Sequence, residues 1–296
     1  MEDRGTASHR RRSSPERRPT AFPLALVWGL AAAFSLATTP GGAQGQPSQP
    51  SKVPPPQRDF ALPIEMDFDF GAANGDALIT RFLPLVAVPL GERWKLINLT
   101  LAVVADAPGG VPGSPGNPEP VPGPNVFGLG DLTDAVLFTP PTGSSRFVWG
   151  FGPAFTFPIA TDARLGSGKW SAGPAFRVAY RPGKWNLGGI FVYLRSYAGD
   201  ADRGDVEQLL IRGLIRRQLG NGWYLTSNPI ITANGRAPSG QRWLVPLGGG
   251  IGKRFAIGSS EVAVSLHAYA NVVKPDGAPD GLVRVDFVLP IPRGLR

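Results

Sequence analysis

RFVWGFGPAFTFPIATD, residues 146–162, is the stretch of this sequence that decides its fold. Every second position is apolar and mostly aromatic: Phe147, Trp149, Phe151, Phe155, Phe157 and Ile159. The positions between them hold smaller residues: Val148, Gly150, Gly152, Ala154, Thr156 and Pro158. Because successive residues of a strand point to opposite faces, this pattern predicts a β-strand with one aromatic face and one small face. Pro153 shares the aromatic positions and has no N–H to donate, so a bulge or bend is predicted there.

The rest of the chain repeats such segments. Clusters of Gly, Pro, Asn and Asp separate apolar or alternating runs of about 10 to 16 residues, and no run carries a sustained helical period with caps. Twelve strands are predicted, at 62–71, 78–90, 94–106, 125–139, 146–160, 169–181, 185–198, 206–219, 223–234, 242–257, 261–273 and 281–291.

The connections between these strands alternate in character. Tight turns are predicted at 91–92, 142–145, 182–184, 220–222 and 258–260, and longer or more polar loops at 72–77, 107–124, 162–168, 199–205, 235–241 and 274–280. Short periplasmic turns and longer extracellular loops are typical of outer-membrane barrels. The sequence therefore predicts an all-β fold, a transmembrane up-and-down antiparallel β-barrel of about 12 strands, over residues 62–296.

Tryptophan placement supports a membrane environment. The tryptophans after residue 43 lie near predicted strand ends: Trp94, Trp149, Trp170, Trp185, Trp223 and Trp243. Such positions are typical of the two aromatic girdles at membrane interfaces. The alternative is that strand starts favour aromatic residues in any β protein, and a soluble sandwich would bury the apolar face in its core.

The N-terminal region reads as an export signal followed by a spacer. A basic segment with Arg10, Arg11 and Arg12 precedes an apolar run and small residues that end at Ala43, which is the pattern of a secretory signal peptide over 1–43. A membrane anchor is the alternative, although the run is short and contains Pro23. Residues 44–61 are rich in Pro and Gln and are predicted to be a disordered spacer. The predicted location is the bacterial outer membrane.

Composition excludes several classes of function. The chain has no Cys, which removes disulfides, thiolate nucleophiles and zinc–thiolate sites. The net charge is +8, and residues 1–43 hold six Arg and three acids, so the remainder carries +5. No basic helix or aromatic-interleaved basic stretch accompanies this modest charge, so nucleic-acid binding is not predicted.

Alternation sorts the strands into two faces. The predicted lipid face includes Ile64, Met66, Phe68, Phe70, Ile97, Leu99, Leu101 and Val103. The predicted inner face carries polar residues that include Asn98, Thr100 and Tyr193. The candidate lumen-lining residues are Glu65, Asp67, Asp69, Arg81, Arg177, Arg195, Arg212, Arg216, His267, Arg284 and Asp286.

These charges are unevenly distributed around the predicted ring. The carboxylates come from the first strand and from the last strand that closes on it, whereas Arg177, Arg195, Arg212 and Arg216 come from strands six to eight. One hypothesis is a transverse field that orients dipolar or anionic solutes. The alternative is that the charges pair across the lumen and plug it.

Enzymatic and metal-binding interpretations are weaker. His267 and Ser265 share a face and Asp286 lies on the adjacent predicted strand, but a histidine on a polar wall is more often a hydrogen-bonded residue than a base. The acidic loops 199–205 and 276–280 lack EF-hand spacing, and GGGIG at 248–252 lacks the Lys and the helix of a phosphate loop. The sequence predicts no enzyme, no cofactor and no metal.

Three segments resemble a known family. GLGD at 128–131, WGFGPAFTFPIATDARLGSGKWSAGPAF at 149–176 and YAGDADRGDV at 197–206 are similar to the outer-membrane β-barrel family labelled as meta-pathway phenol-degradation transporters, some members of which carry the misleading name neuromedin U. The resemblance runs from about Leu62 to the C-terminus. It implies a porin or transporter barrel that takes up small compounds, aromatic ones among them. Unlike most outer-membrane barrels, the chain has no terminal aromatic residue, and Phe287 is its last one.

Together these observations predict an outer-membrane channel for passive uptake of small solutes, aromatic compounds among them. The alternative is a structural or adhesive barrel with a plugged lumen, whose loop at 107–124 meets partners outside or folds inward as a constriction; seven prolines stiffen that loop. The expected partners are outer-membrane lipid and lipopolysaccharide, a small-molecule solute and the barrel assembly machinery.

Overall fold

The computed structural model describes residues 59–111, 123–141, 145–257 and 260–290. The predicted signal peptide, most of the spacer and residues 112–122 of the proline-rich loop lie outside the described residues. The described strands are β1 (Asp59–Phe70), β2 (Ala77–Phe82), β3 (Leu85–Leu90), β4 (Trp94–Pro108), β5 (Asn125–Leu129), β6 (Leu132–Thr139), β7 (Phe147–Phe157), β8 (Lys169–Tyr180), β9 (Trp185–Gly199), β10 (Glu207–Gly220), β11 (Trp223–Ser227), β12 (Ile230–Asn234), β13 (Trp243–Ile257), β14 (Ser260–Val273) and β15 (Gly281–Pro290). Within the described ranges, no helix is long and apolar enough to cross a membrane.

The strands close into one antiparallel ring. Strands that are adjacent around the ring pair antiparallel, and β1 pairs with β15 over ten residues, from Ala61 opposite Pro290 to Phe70 opposite Gly281. Three pairs of segments, β2 with β3, β5 with β6 and β11 with β12, each occupy one place in the ring, so the barrel has twelve staves. The predicted all-β, twelve-stranded antiparallel barrel is therefore confirmed.

The three interruptions were not predicted, and two of them have a clear cause. Pro84 separates β2 from β3 and Pro229 separates β11 from β12, and proline cannot donate to a strand ladder. The chain nevertheless stays in the wall, since the carbonyls of Pro84 and Pro229 accept from Thr100 at 3.1 Å and Gly213 at 3.0 Å. The third break, at Gly130, is bridged by its N–H, which donates to the carbonyl of Val103 at 2.9 Å.

The stretch at residues 146–162 forms β7, and its aromatic residues lie on the outer face. Phe147 and Phe151 are about half exposed there, whereas Val148 and Ala154 face inward and are buried. The bulge predicted at Pro153 is wrong, because the register is the same on both sides of it: Pro153 lies opposite Pro174 of β8 without a shift. Towards β6 only the pairing opposite Gly152 and Pro153 is lost, and it resumes in the same register.

The tryptophans lie at strand ends as predicted. Trp94, Trp185, Trp223 and Trp243 are the first residues of their strands, and Trp170 is the second residue of β8. On the outer face Trp94 meets Trp149 edge to face at 6.2 Å between ring centroids. The ammonium of Lys253 lies 4.9 Å from the Trp223 ring, so its charge is placed against an aromatic girdle.

Two predicted face assignments are wrong. In β4, Val103 lies opposite Arg81 and Ala105 opposite Ile79, and both partners point into the barrel. Directly opposed residues share a face, so the set Ile97, Leu99, Leu101 and Val103 faces inward, and Asn98 and Thr100 face outward. In β9, buried Val192 and Leu194 point inward, so Tyr193 and Arg195 point outward.

The inward apolar residues form a core inside one half of the barrel. Its buried members are Ala87, Ile97, Ala135, Leu137, Ala154, Ala175, Val192 and Leu194, packed against Leu85, Leu99, Ile190 and Leu210. They come from strands β3, β4 and β6 to β10. The other half of the interior, from β11 to β15 and through β1, is lined mainly by polar and charged residues.

Candidate functional site in the barrel lumen

The predicted site residues lie on the inner face with one exception. Cross-strand register and ion pairing orient inward Glu65, Asp67, Asp69, Arg81, Arg177, Arg212, Arg216, His267, Arg284 and Asp286. Arg195 is corrected: it lies opposite Glu207 on the outer face and is exposed. Arg195 lies near the loop end of β9, and the rim of a barrel tolerates an outward arginine.

Asp67 and Arg284 form the most buried ion pair of the lumen. The two residues are direct neighbours across the β1–β15 seam. Arg284 donates through Nε at 2.6 Å and through Nη2 at 2.8 Å, so the pair is bidentate. Arg81 donates to the same carboxylate from β2. The Asp67 side chain is 0% exposed and that of Arg284 2%, so water does not screen this pair.

A second pair crosses the lumen. Arg212 of β10 donates from Nη1 to Oε2 of Glu65 on β1 at 3.0 Å, and from Nη2 to Oε1. Four staves separate these strands one way around the ring and six the other way. The contact is therefore nearly diametric, and it crosses the interior at its level. Arg284 also approaches Glu65, at 3.7 Å, which joins the two pairs into one network.

Asn228, at the break between β11 and β12, ties this network to the polar wall. Its Nδ2 donates to Asp286 at 3.1 Å, while its Oδ1 accepts from the Tyr269 hydroxyl at 2.9 Å and its carbonyl accepts from Arg284 at 3.0 Å. The Tyr269 hydroxyl also lies 3.1 Å from Nδ1 of His267. The same hydroxyl accepts from the backbone N–H of Asn228 at 2.9 Å.

Two cavities lie on either side of the network. The smaller, about 120 Å³, is on the loop side and is lined by Asp67, Asp69, Asn74, Arg81, Asn271 and Arg284. The larger, about 350 Å³, is on the tight-turn side and is lined at its inner end by Glu65, Arg212, Asn228 and Asp286. The network thus divides the interior between two chambers.

The larger cavity has one aliphatic side and one side where charged and apolar residues alternate. The aliphatic side is formed by residues from β2 to β4: Leu83, Leu85, Leu99 and Leu101. The other side lies along β8 to β10 and carries Arg177, Arg181, Arg212 and Arg216, with Ile190, Val192, Leu210 and Leu214 between them. A cavity of this size, mostly apolar with a few placed charged groups, has the character of a small-molecule site.

The chain was compared with known proteins. No protein-family model matches it, and no curated protein does. Among solved structures it is similar to the COG4313 outer membrane channel from Pseudomonas putida F1, with a TM-score of 0.55 and 14% identity over 83% of this chain and 99% of that chain. The chain has the fold of that channel.

More distant similarities are found to two other bacterial proteins. One is CdiB from Acinetobacter baumannii, with a TM-score of 0.35 and 11% identity over 78% of this chain and 60% of that chain. The other is the beta domain of the Bordetella autotransporter BrkA, with a TM-score of 0.36 and 13% identity over 78% of this chain and 98% of that chain. At these scores neither bears on the fold or function of this chain.

The geometry around His267 is not that of a catalytic triad. In a triad the carboxylate and the nucleophile bind opposite nitrogens of the imidazole. Here Asp286 at 3.0 Å and Ser265 at 3.1 Å both lie at Nε2, and Nδ1 faces Tyr269. His267 is therefore positioned as a structural link in the polar wall.

The carboxylates of the acidic loops contact groups of the protein itself. Asp280 pairs with Lys274 at 2.7 Å, Asp276 accepts from Gln241 at 2.8 Å, and Asp200 caps the backbone of Asp202 at 2.9 Å. Among the residues that the structure describes, no group of three or more His, Asp or Glu side chains could hold a metal ion.

The aliphatic lining of the larger cavity is the part of the site that the sequence analysis missed. The sequence pattern does indicate these residues, because Leu210 and Leu214 point to the same face of β10 as Arg212 and Arg216. The same holds for Leu83 and Leu85, which continue the inward positions of Arg81. The prediction did not include them because it treated the inner face as polar throughout.

Proposed function

We propose that the chain is an outer-membrane channel through which small solutes, aromatic compounds among them, pass without energy input. The cavity of about 350 Å³ is the observation that carries this proposal, because it provides a chamber inside a closed barrel with both apolar and charged walls. The outer face supports the membrane location, since aromatic residues cover it and tryptophans mark both strand ends.

The Glu65–Arg212 pair supports a second candidate, a barrel with a closed lumen that serves a structural or adhesive role. The pair reaches nearly across the ring, and Asn228 and Arg284 reinforce it. In the channel proposal the same pair is a constriction between the two cavities that solutes must pass. The two functions therefore differ in whether ions and solutes cross this level.

Conductance in planar bilayers tests the proposal. We expect the refolded full chain to give discrete single-channel currents, because cavities lie on both sides of the crossing pair. Arg212→Gln removes one side of the crossing pair and should raise the single-channel conductance. Arg195→Gln is the matched control, since that arginine lies on the outer face and should leave the conductance unchanged.

The outcomes separate the two candidates. Currents from the unaltered chain support a channel. Absence of current from the unaltered chain, with current from Arg212→Gln, overturns the channel proposal in favour of a closed barrel. Heat-modifiable migration on gels verifies that each variant is folded.

The same proposal implies partners. Lipid and lipopolysaccharide contact the outer face, a small solute occupies the lumen, and the barrel assembly machinery inserts the chain. Outward Arg195 and the exposed ring of Tyr197 near the loop end of β9 suit the phosphate-rich head-group region.

A further inference from the structure

Arg177 and Arg216 are among the arginines of the larger cavity that no carboxylate neutralises. Arg212 is paired with Glu65, but Arg177 has no ion pair or hydrogen bond among the described residues. Arg216 is held over the Tyr224 ring at 4.5 Å, and its Nε is buried without a hydrogen-bond partner. An aromatic face stabilises a cation only in part, so both guanidinium groups retain donors for an anion.

The two carboxylates on the same cavity each have a polar partner, although Oδ1 of Asp286 has none. Glu65 accepts from Arg212, and Asp286 accepts from Asn228 at 3.1 Å and lies 3.0 Å from His267. Arg181 adds a further positive charge at the tight-turn end of the cavity. The cavity is therefore net positive, which disfavours a cationic solute and favours an anionic one.

The wall facing these arginines excludes a fully polar anion. Leu85, Leu99 and Leu101 line the side of the cavity opposite β8 and β10, and their side chains have no donors or acceptors. A phosphate or a sugar acid would lose hydration against this surface and gain no hydrogen bonds there. A solute with one charged end and one apolar end satisfies both walls.

We propose that the larger cavity binds small amphiphilic monocarboxylates, with the carboxylate on the guanidinium group of Arg177 or of Arg216 and a compact apolar body against the leucines of β2 to β4. Guanidinium groups donate two parallel hydrogen bonds to carboxylate oxygens, which fixes the orientation of the solute. The volume of about 350 Å³ accommodates a six-membered ring with its carboxylate. This inference gives a substrate class to the proposed channel and rests on that function for its biological role.

Equilibrium binding tests the site directly. The refolded full chain in detergent is titrated with cyclohexanecarboxylate and with the neutral cyclohexanecarboxamide, which has nearly the same shape, and binding is followed by saturation-transfer NMR. We expect the carboxylate to bind at least about tenfold more tightly than the amide. The double variant Arg177→Gln/Arg216→Gln should abolish this preference, whereas Arg195→Gln should retain it.

Single-channel recording of the same proteins separates this inference from the channel function. We expect cyclohexanecarboxylate to block currents carried by chloride, and the amide not to block. Equal affinity for acid and amide, or a preference that survives in the double variant, overturns the carboxylate site even if currents are seen. Selective binding without any current overturns the channel and leaves the site standing. Arg177→Lys, which keeps the charge, should retain part of the preference and shows that a lost effect is not a folding defect.

Discussion

Gly152 illustrates how one residue in the decisive stretch is fixed by the barrel wall. A Cβ built at this position would overlap the carbonyl oxygen of Val136 on β6. The small side of β7 is therefore required at this point by close approach of the neighbouring strand. We expect Gly152→Ala to lower the free energy of unfolding by about 1–3 kcal/mol, since backbone must shift to admit the methyl group.

Urea unfolding in lipid vesicles, followed by tryptophan fluorescence, measures this effect. Gly204→Ala is the control, because a Cβ at Gly204 meets nothing within 4 Å. Equal stability of the two variants would contradict the close approach of β6 and β7.

Asp162, in the loop after β7, carries a local electrostatic prediction. Arg164 donates to its carboxylate from the backbone N–H at 2.9 Å, from Nε at 2.9 Å and from Nη2 at 2.8 Å. These hydrogen bonds lower the pKa of Asp162 to about 2. Because the folded pKa is depressed, this loop contact is fully present above the unfolded pKa of about 4 and is lost as the pH falls towards 2.

We expect the carboxyl carbon shift of Asp162 in NMR spectra to stay that of the ionised form at pH 3. Arg164→Gln removes the charged donor and should return the pKa towards about 4. A midpoint near 4 in the unaltered protein would show that the contact does not form in solution.

At the scale of elements, β4 and β6 place a polar cluster on the outer face. Asn98 donates from Nδ2 to the two carboxylate oxygens of Asp134 at 3.0 and 2.8 Å, and the hydroxyl of Thr100 donates to Asp134 at 2.7 Å. Mutual hydrogen bonding reduces the cost of placing these groups away from water. The cluster is stable only as a unit.

Removing one member should therefore cost more than removing all three. Asn98→Ala leaves Asp134 with fewer donors, and we expect a loss of about 1–3 kcal/mol in the free energy of unfolding. The triple variant Asn98→Leu/Thr100→Val/Asp134→Leu should be neutral or stabilising, since it leaves no unpaired polar group. Urea unfolding in vesicles compares them, and a triple variant less stable than the single one would contradict this account.

This cluster also shows how far sequence reasoning reaches. Alternation correctly predicted that β4 has two faces and that the chain forms twelve staves. It did not reveal which face of β4 is outside, because Asn98 and Thr100 meet Asp134 only after β4 pairs with β6. The same limit applies to the lumen. The pairing of Glu65 with Arg212 joins residues 147 positions apart, and no local pattern marks it. Alternation also places Arg195 inward together with Tyr193, on the assumption that the more polar face is the inner one, although the rim of a barrel tolerates outward charges.

At the scale of the whole molecule, barrel closure and the lumen network depend on the same residues. The β1–β15 seam brings Asp67 opposite Arg284 and Glu65 opposite Asp286. Arg81 of β2 and Arg212 of β10 then attach to those two acids of β1. The first strand is thus connected by charge to its neighbours on both sides and to the far wall, so the network stabilises the closed ring.

Asp67→Asn tests this coupling. The substitution keeps the shape of the side chain but removes the charge that compensates Arg284 and Arg81. We therefore expect the free energy of unfolding to fall by about 3–5 kcal/mol. Because the lost interactions lie at the seam, samples heated before electrophoresis should change from the folded to the unfolded band at a lower temperature than the unaltered protein. Asp205→Asn is the control: the Asp205 side chain is 61% exposed, its pairs with Lys169 at 3.9 Å and Arg236 at 3.6 Å are long, and their loss should cost less than about 1 kcal/mol. If both variants convert at the same temperature, the network does not hold the seam, and closure rests on the backbone ladder between β1 and β15 alone.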